Sequence, residues 1–142
     1  MNRISHVENA NYTLFFDGCC KGNPGKGGAG FSIFKNQIEI YAESSFVGSN
    51  TTNNVAEYTA LMTGLQKAVD LNLSSLVVKG DSMLAIKQMK GEFKVSSPSL
   101  INLFTASKKL EKKIGCVKYE HVYREFNKRA DKLANDGLLL QS

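Results

Sequence analysis

Residues 12–30 read YTLFFDGCCKGNPGKGGAG, and the break inside this stretch decides the fold. Tyr12 to Phe16 is an aromatic-rich apolar run, too short for a helix and suited to a buried strand. It stops at Asp17. From Gly18 to Gly30 come six glycines and one proline, which predicts a turn-rich loop. A carboxylate that ends a buried strand sits at the carboxyl edge of a sheet, and that edge is where open α/β sheets bind ligands.

Working outward, residues from about Gly30 to Phe34 and from Ile38 to Val47 (IEIYAESSFV) read as two further strands, joined by Lys35-Asn36-Gln37. A helical stripe of Tyr58, Leu61, Met62, Leu65, Ala68 and Val69 then runs to about Leu71, with Asn53 or Asn54 available as its cap. Ser75 to Lys79 is a short strand running into Gly80-Asp81-Ser82, where a helix carrying Leu84, Ala85, Ile86 and Met89 starts. Ser97-Pro98 is a cap and first-position pair for the next helix. Cys116 to Tyr123 (CVKYEHVY) is a fifth strand, and Asn127 to about Leu139 a last helix. The order βββ-α-β-α-α-β-α predicts an α/β fold, a five-stranded mixed sheet with helices packed on it.

The chain of 142 residues is one domain's worth. Residues 1–10, polar and weakly patterned, are expected as a flexible tail, and 11–142 as a single domain. Hydrophobic residues at 42% and charged residues at 22% exclude collagen-like, coiled-coil and disordered readings of the whole chain. The net charge of +5 is uneven: residues 1–80 hold six of each sign, whereas 81–142 hold twelve basic against seven acidic. Such an excess suits a polyanionic partner. Cys19, Cys20 and Cys116 are odd in number and lack metal-ligand spacing, so an intracellular, reducing compartment is expected. The sequence shows neither an apolar leader nor a membrane-spanning run.

Four acids fall at element boundaries. Asp17 ends the first strand, Glu57 lies in the first turn of the first helix, Asp81 is at a strand-to-helix junction, and Asp131 is in the first turn of the last helix. Each alone is explained by the preference of helix N-termini for acidic side chains. If the first and fourth strands are parallel neighbours, however, Asp17 and Asp81 come together, and the helix starts could bring Glu57 and Asp131 to the same spot. Carboxylates so crowded repel. Hard divalent cations compensate them, and oxygen ligands favour Mg²⁺ or Mn²⁺, two of which can serve in-line phosphoryl transfer.

The segments FFDGCCKGNPGKGGAG, TTNNVAEYTAL, VKGDSMLAIKQMKG and REFNKRADKLAND resemble, in order and spacing, the four signature segments of type 1 ribonuclease H, over about residues 12 to 138. The resemblance implies the ribonuclease H fold and an endoribonuclease that hydrolyses the RNA strand of RNA–DNA hybrids, leaving 5′-phosphate and 3′-hydroxyl ends. It implies two Mg²⁺ ions, with Mn²⁺ as a substitute, held by Asp17, Glu57, Asp81 and Asp131, and a contact of Glu57 with a ribose 2′-OH. It further implies that Asn23 and Asn53 reach base edges in the minor groove. Thr52 and Asn54 match a pocket for a DNA-strand phosphate, completed by Ser96 or Ser97.

Some positions depart from the family pattern. Met83 stands where many members carry a polar minor-groove reader, and the basic handle after the second helix is missing. This places the chain in the compact plant and archaeal-like branch. His121 has the spacing of the family's loop histidine but sits within the YEHVY strand. Arg124 lies in the short connection after it, with phosphate binding and product expulsion both open. Lys87, Lys90, Lys94, Lys128, Arg129 and Lys132 flank the site, whereas Lys108, Lys109, Lys112 and Lys113 belong to a solvated helix face. Cys19 and Cys20 read as loop residues without a nucleophilic role. A monomer is expected. The competing readings are the same fold acting on double-stranded RNA, and a catalytically silent nucleic-acid-binding module.

Overall fold

The glycine-rich stretch builds two strands. In the computed structural model, which describes residues 10–140, β1 (Tyr12–Gly22) and β2 (Gly25–Lys35) form an antiparallel hairpin. It is paired from Tyr12↔Lys35 to Gly22↔Gly25, with Asn23-Pro24 as the connection. The loop expected from Gly18 to Gly30 is therefore corrected, for a steric reason. A β-carbon on Gly18 would run into the backbone of Ala56 and Glu57, and one on Gly30 into the backbone of Leu133 and Ala134. Glycine is needed at these two positions because helices lie directly on the hairpin from both faces. Apart from Ala10, the expected tail lies outside the described residues.

The remaining elements follow the expected order. β3 (Ile38–Thr51) extends beyond the predicted Val47 and pairs with β2 through several register shifts. It is followed by α1 (Asn53–Asp70), β4 (Ser75–Gly80), α2 (Met83–Met89), α3 (Pro98–Ile114) and β5 (Cys116–His121). A 3-10 turn at Arg124–Phe126 precedes α4 (Lys128–Gly137), and a second one follows it at Leu138–Leu140. The sheet order is β3-β2-β1-β4-β5, with β1, β4 and β5 parallel and the other pairs antiparallel. The expected five-stranded mixed sheet is the observed one.

Alternation along β1 sets the faces of the sheet. Leu14 and Phe16 are fully buried in the core with Tyr58, Leu61 and Leu65 of α1. Gly18 continues that face, against Ala56. The residue between them, Asp17, belongs to the opposite face, the one α4 covers through Ala134 over Gly28 and Gly30. Burial of Ala130, Leu133 and Ala134 holds α4 there. Two capping details differ from expectation. The cap of α1 is Thr52, whose Oγ1 accepts from the Val55 N–H at 3.3 Å, and not Asn53 or Asn54, which are the first helical residues. Glu57, fifth in α1, stands in the second turn and not the first.

Candidate active site

The parallel pairing of β1 with β4 runs from Thr13↔Val77 to Phe16↔Gly80. The residue after each member of that last pair is an acid, so Asp17, still within β1 and paired with Gly30, and Asp81, just past the end of β4, stand side by side at the carboxyl edge of the β1–β4 ladder. Close packing of α1 on Gly18 brings Glu57 to the same place, where the Gly18 N–H donates to Glu57 Oε1 at 3.1 Å. Carboxylate oxygens of Asp17, Glu57 and Asp81 all lie within 4.8 Å of one another. Asp131, in the first turn of α4, approaches from the other face, close enough to share a proton with Asp17. The four acids singled out in the sequence thus converge, three in a tight cluster and the fourth against Asp17.

This convergence has an electrostatic cost. Burial, then the charge of Asp81, then the hydrogen bond with Asp131, push the Asp17 carboxyl up to about 8. Burial first, and then Asp17 and Asp81, hold Glu57 well above the usual carboxylate range despite the Gly18 N–H. Neighbouring thiols feel the same field: Cys19 is pushed up to about 11 by burial and by Asp17, and Cys20 is raised by burial and by Glu57. Neither thiol is an activated nucleophile. Clustered anions with an all-oxygen donor set fit a hard divalent cation, whose charge would return both carboxyls to their ionised forms.

A second feature opens at the N-terminus of α1, the helix that carries Glu57. Asn23, Thr52, Asn53, Asn54, Ser96 and Ser97 all line one hollow of about 660 Å³, together with Lys94, Ser99 and Gln88. Asn23 Oδ1 accepts from the Asn53 N–H at 3.1 Å, tying the β1–β2 turn to the start of α1. Gln88 shapes the other wall. It accepts from the Tyr58 hydroxyl at 2.7 Å and donates to the Lys94 carbonyl at 3.2 Å, fixing the loop before α3 over the α1 N-terminus. A helix N-terminus with short polar side chains and a lysine forms an anion seat. Sequence reasoning missed Gln88 and Ser99, which carry no local motif. Ser97, at the cap position of α3, does not cap through its side chain; its hydroxyl meets that of Ser99 at 3.0 Å.

The remaining sequence candidates are distributed around this site. Arg124 is exposed on the 3-10 turn after β5 and is not part of the hollow. His121 lies in β5, as expected, but is its last residue, the strand ending short of the predicted Tyr123, to whose ring it is edge-on. Met83, 45% exposed, opens α2. Several flanking cations are already paired. Arg129 makes two hydrogen bonds to Glu39 at 2.8 and 3.1 Å, Lys132 meets Asp136, and Lys87 and Lys90 share Glu92. Lys108, expected on a solvated face, instead bonds the Met89 carbonyl and Glu111, which also accepts from Tyr119. Glu39 and Met89 are remote in the chain from Arg129 and Lys108, so spacing could not show those two contacts, whereas the Glu92, Asp136 and Glu111 pairs lie within five residues.

Comparisons with known proteins agree with this geometry. The family described as reverse transcriptase-like matches residues 15–137. A bifunctional protein of Mycobacterium tuberculosis is 39% identical over 123 residues, covering 86% of this chain but only 34% of its own length. The chain thus spans about a third of that relative. The structure of its N-terminal RNase H domain, solved as a fusion with maltose-binding protein, superposes with a TM-score of 0.87 at 35% identity, over 92% of this chain and 94% of that one. LC11-RNase H1, solved in complex with an RNA/DNA hybrid, gives a TM-score of 0.85 at 30% identity, over 90% and 96%. A ribonuclease H of Pseudomonas savastanoi pv. phaseolicola is 32% identical over 139 residues, covering 88% of this chain and 91% of that protein. Likeness of this extent, on a fold that gathers the four signature acids at one sheet edge, shows that the chain belongs to the type 1 ribonuclease H family.

Proposed function

We propose that this chain is an endoribonuclease that hydrolyses the RNA strand of RNA–DNA hybrids, leaving 5′-phosphate and 3′-hydroxyl ends. The observation that carries this reading is the cluster of Asp17, Glu57 and Asp81, with Asp131 against Asp17. Two Mg²⁺ ions held by these four residues would supply the activated nucleophile and stabilise charge on the leaving oxygen. Asp17, which is near each of the other three acids, would be the ligand shared between the ions in this reading. Glu57 stands where it can also accept from a ribose 2′-OH, the group that distinguishes RNA from DNA.

Substrate register comes from the hollow. Thr52, Asn54, Ser96 and Ser97, with Lys94 beside them, offer hydroxyl, amide and ammonium donors for a phosphate of the DNA strand. Asn23 and Asn53, joined by a hydrogen bond, would face the minor groove in this reading. Arg124, exposed on the turn after β5, would meet a phosphate of the cleaved strand in this reading. The chain acts as a monomer in this reading, and its three free thiols suit a reducing compartment. Among the described residues, no helix is long and apolar enough to cross a membrane.

A hybrid labelled on its RNA strand, incubated in Mg²⁺ or Mn²⁺ with wild-type protein and with Asp17→Asn, tests the proposal. Cleavage by the wild type alone is expected. No cleavage in either metal, or equal cleavage by the variant, overturns it.

A further inference from the structure

We infer that Asn127 is a positioning residue, which braces the 122–127 turn across the carboxyl edge of the sheet and so fixes Asp17 relative to Asp131. Asn127 precedes α4 and occupies its cap position, and its carbonyl accepts from the Asp131 N–H at 3.0 Å. Asparagine in that position ordinarily turns its side-chain oxygen onto the free N–H groups of the helix. Here it makes no such bond. The side chain points into the protein, 1% exposed, and Nδ2 donates to the Phe16 carbonyl at 3.0 Å across 111 positions of sequence. Its Oδ1 is buried without a hydrogen-bond partner. Giving up a cap and burying an unpaired amide oxygen both cost stability, and what the chain obtains is a link between the residue before Asp17 and the helical turn that carries Asp131.

The other end of the same turn repeats the device. The Val122 N–H donates to the Gly80 carbonyl at 2.9 Å, and Gly80 immediately precedes Asp81. Phe16↔Gly80 is the last pair of the β1–β4 ladder, so beyond it no strand pairing holds β1, which runs on beside β2, to the residues that follow β4. One six-residue turn donates to both carbonyls of that pair and then opens the helix bearing the fourth acid. Mutually repelling carboxylates pull such an edge apart, and the brace opposes that movement.

This inference rests on the reading of the four acids as a cation-binding set. Asn127→Ala and the near-isosteric Asn127→Asp test it through steady-state cleavage and through calorimetric titration of Mn²⁺ into substrate-free protein. Loss of a group that orients a metal ligand changes activity or metal affinity by about 10- to 100-fold. A fall of that size in kcat with KM within about twofold, and a similar weakening of Mn²⁺ binding, is expected. A folded variant with wild-type kcat and wild-type Mn²⁺ affinity overturns the inference, whatever its melting temperature. In the wild type, the Asn127 side-chain amide signals should shift during Mg²⁺ titration together with the Gly18 amide, which donates to Glu57. Asn127 signals that stay fixed while Gly18 moves also overturn it, even where neither variant folds. An inactive wild-type protein undoes the nuclease reading instead and leaves the Mn²⁺ and magnetic-resonance results to judge the brace.

Discussion

Asp17 is 5% exposed and faces three further carboxylates, and this conflict makes the metal-free protein sensitive to pH. Below about pH 4 the group is protonated in both the folded and the unfolded chain. As pH rises, the unfolded chain ionises first, and the folded protein loses stability until its own carboxyl ionises near 8. The melting temperature in EDTA is therefore expected to fall from about pH 4 to about 8. Added Mg²⁺ should restore it, and by more at the upper end of that range. Asp17→Asn removes the charge, so its metal-free melting temperature at pH 8 should exceed that of the wild type by about 4 °C for each kcal/mol relieved. Cleavage by the same variant should fall by more than about a hundredfold. A metal-free wild type whose stability is flat from pH 4 to 8 would contradict this account.

At the scale of elements, the site depends on how closely two helices approach the β1–β2 hairpin. Gly30→Ala places a methyl group against the α4 backbone at Leu133 and Ala134. Overpacking of this kind is expected to cost about 1–3 kcal/mol in urea unfolding. Gly48, in the neighbouring strand β3, where an added β-carbon would meet nothing within 4 Å, is the control; Gly48→Ala should stay within about 0.5 kcal/mol of wild type. Gly18→Ala pushes on Ala56 and Glu57, so it should lower cleavage as well as stability. Measuring both quantities on both glycine variants separates a packing defect from displacement of a carboxylate.

Over the whole molecule, the charge excess after Gly80 is less available than its count suggests. Arg129 is committed to Glu39, bridging α4 to β3, whereas Lys94 lines the hollow and has no ion-pair partner among the described residues. Each phosphate contact contributes about 0.9 to the slope of log affinity against log salt. Lys94→Ala is expected to reduce that slope for hybrid binding by about this amount. Arg129→Ala should leave the slope unchanged and cost at most about 1 kcal/mol in stability, the range of an exposed ion pair. Equal effects of the two variants on the slope would show that the Glu39 pair opens on binding.

Much of the architecture was legible because it is written in local pattern: the apolar run YTLFF, the stripe from Tyr58 to Val69, and the Ser97-Pro98 helix start each report one element through its neighbours in sequence. The order of those elements determined the mixed sheet, and the four segments around Asp17, Glu57, Asp81 and Asp131 determined the family resemblance. Tertiary structure decided the rest. It turned the run from Gly18 to Gly30 into paired strands, because the demand for glycine comes from α1 and α4, dozens of residues away. It gave the cap of α1 to Thr52, committed Arg129 to Glu39, and turned Asn127 away from its own helix toward Phe16. Apart from the Thr52 cap, whose partner Val55 is local, each of these depends on a partner distant in sequence, and only the folded chain brings that partner within reach of a hydrogen bond or a steric contact.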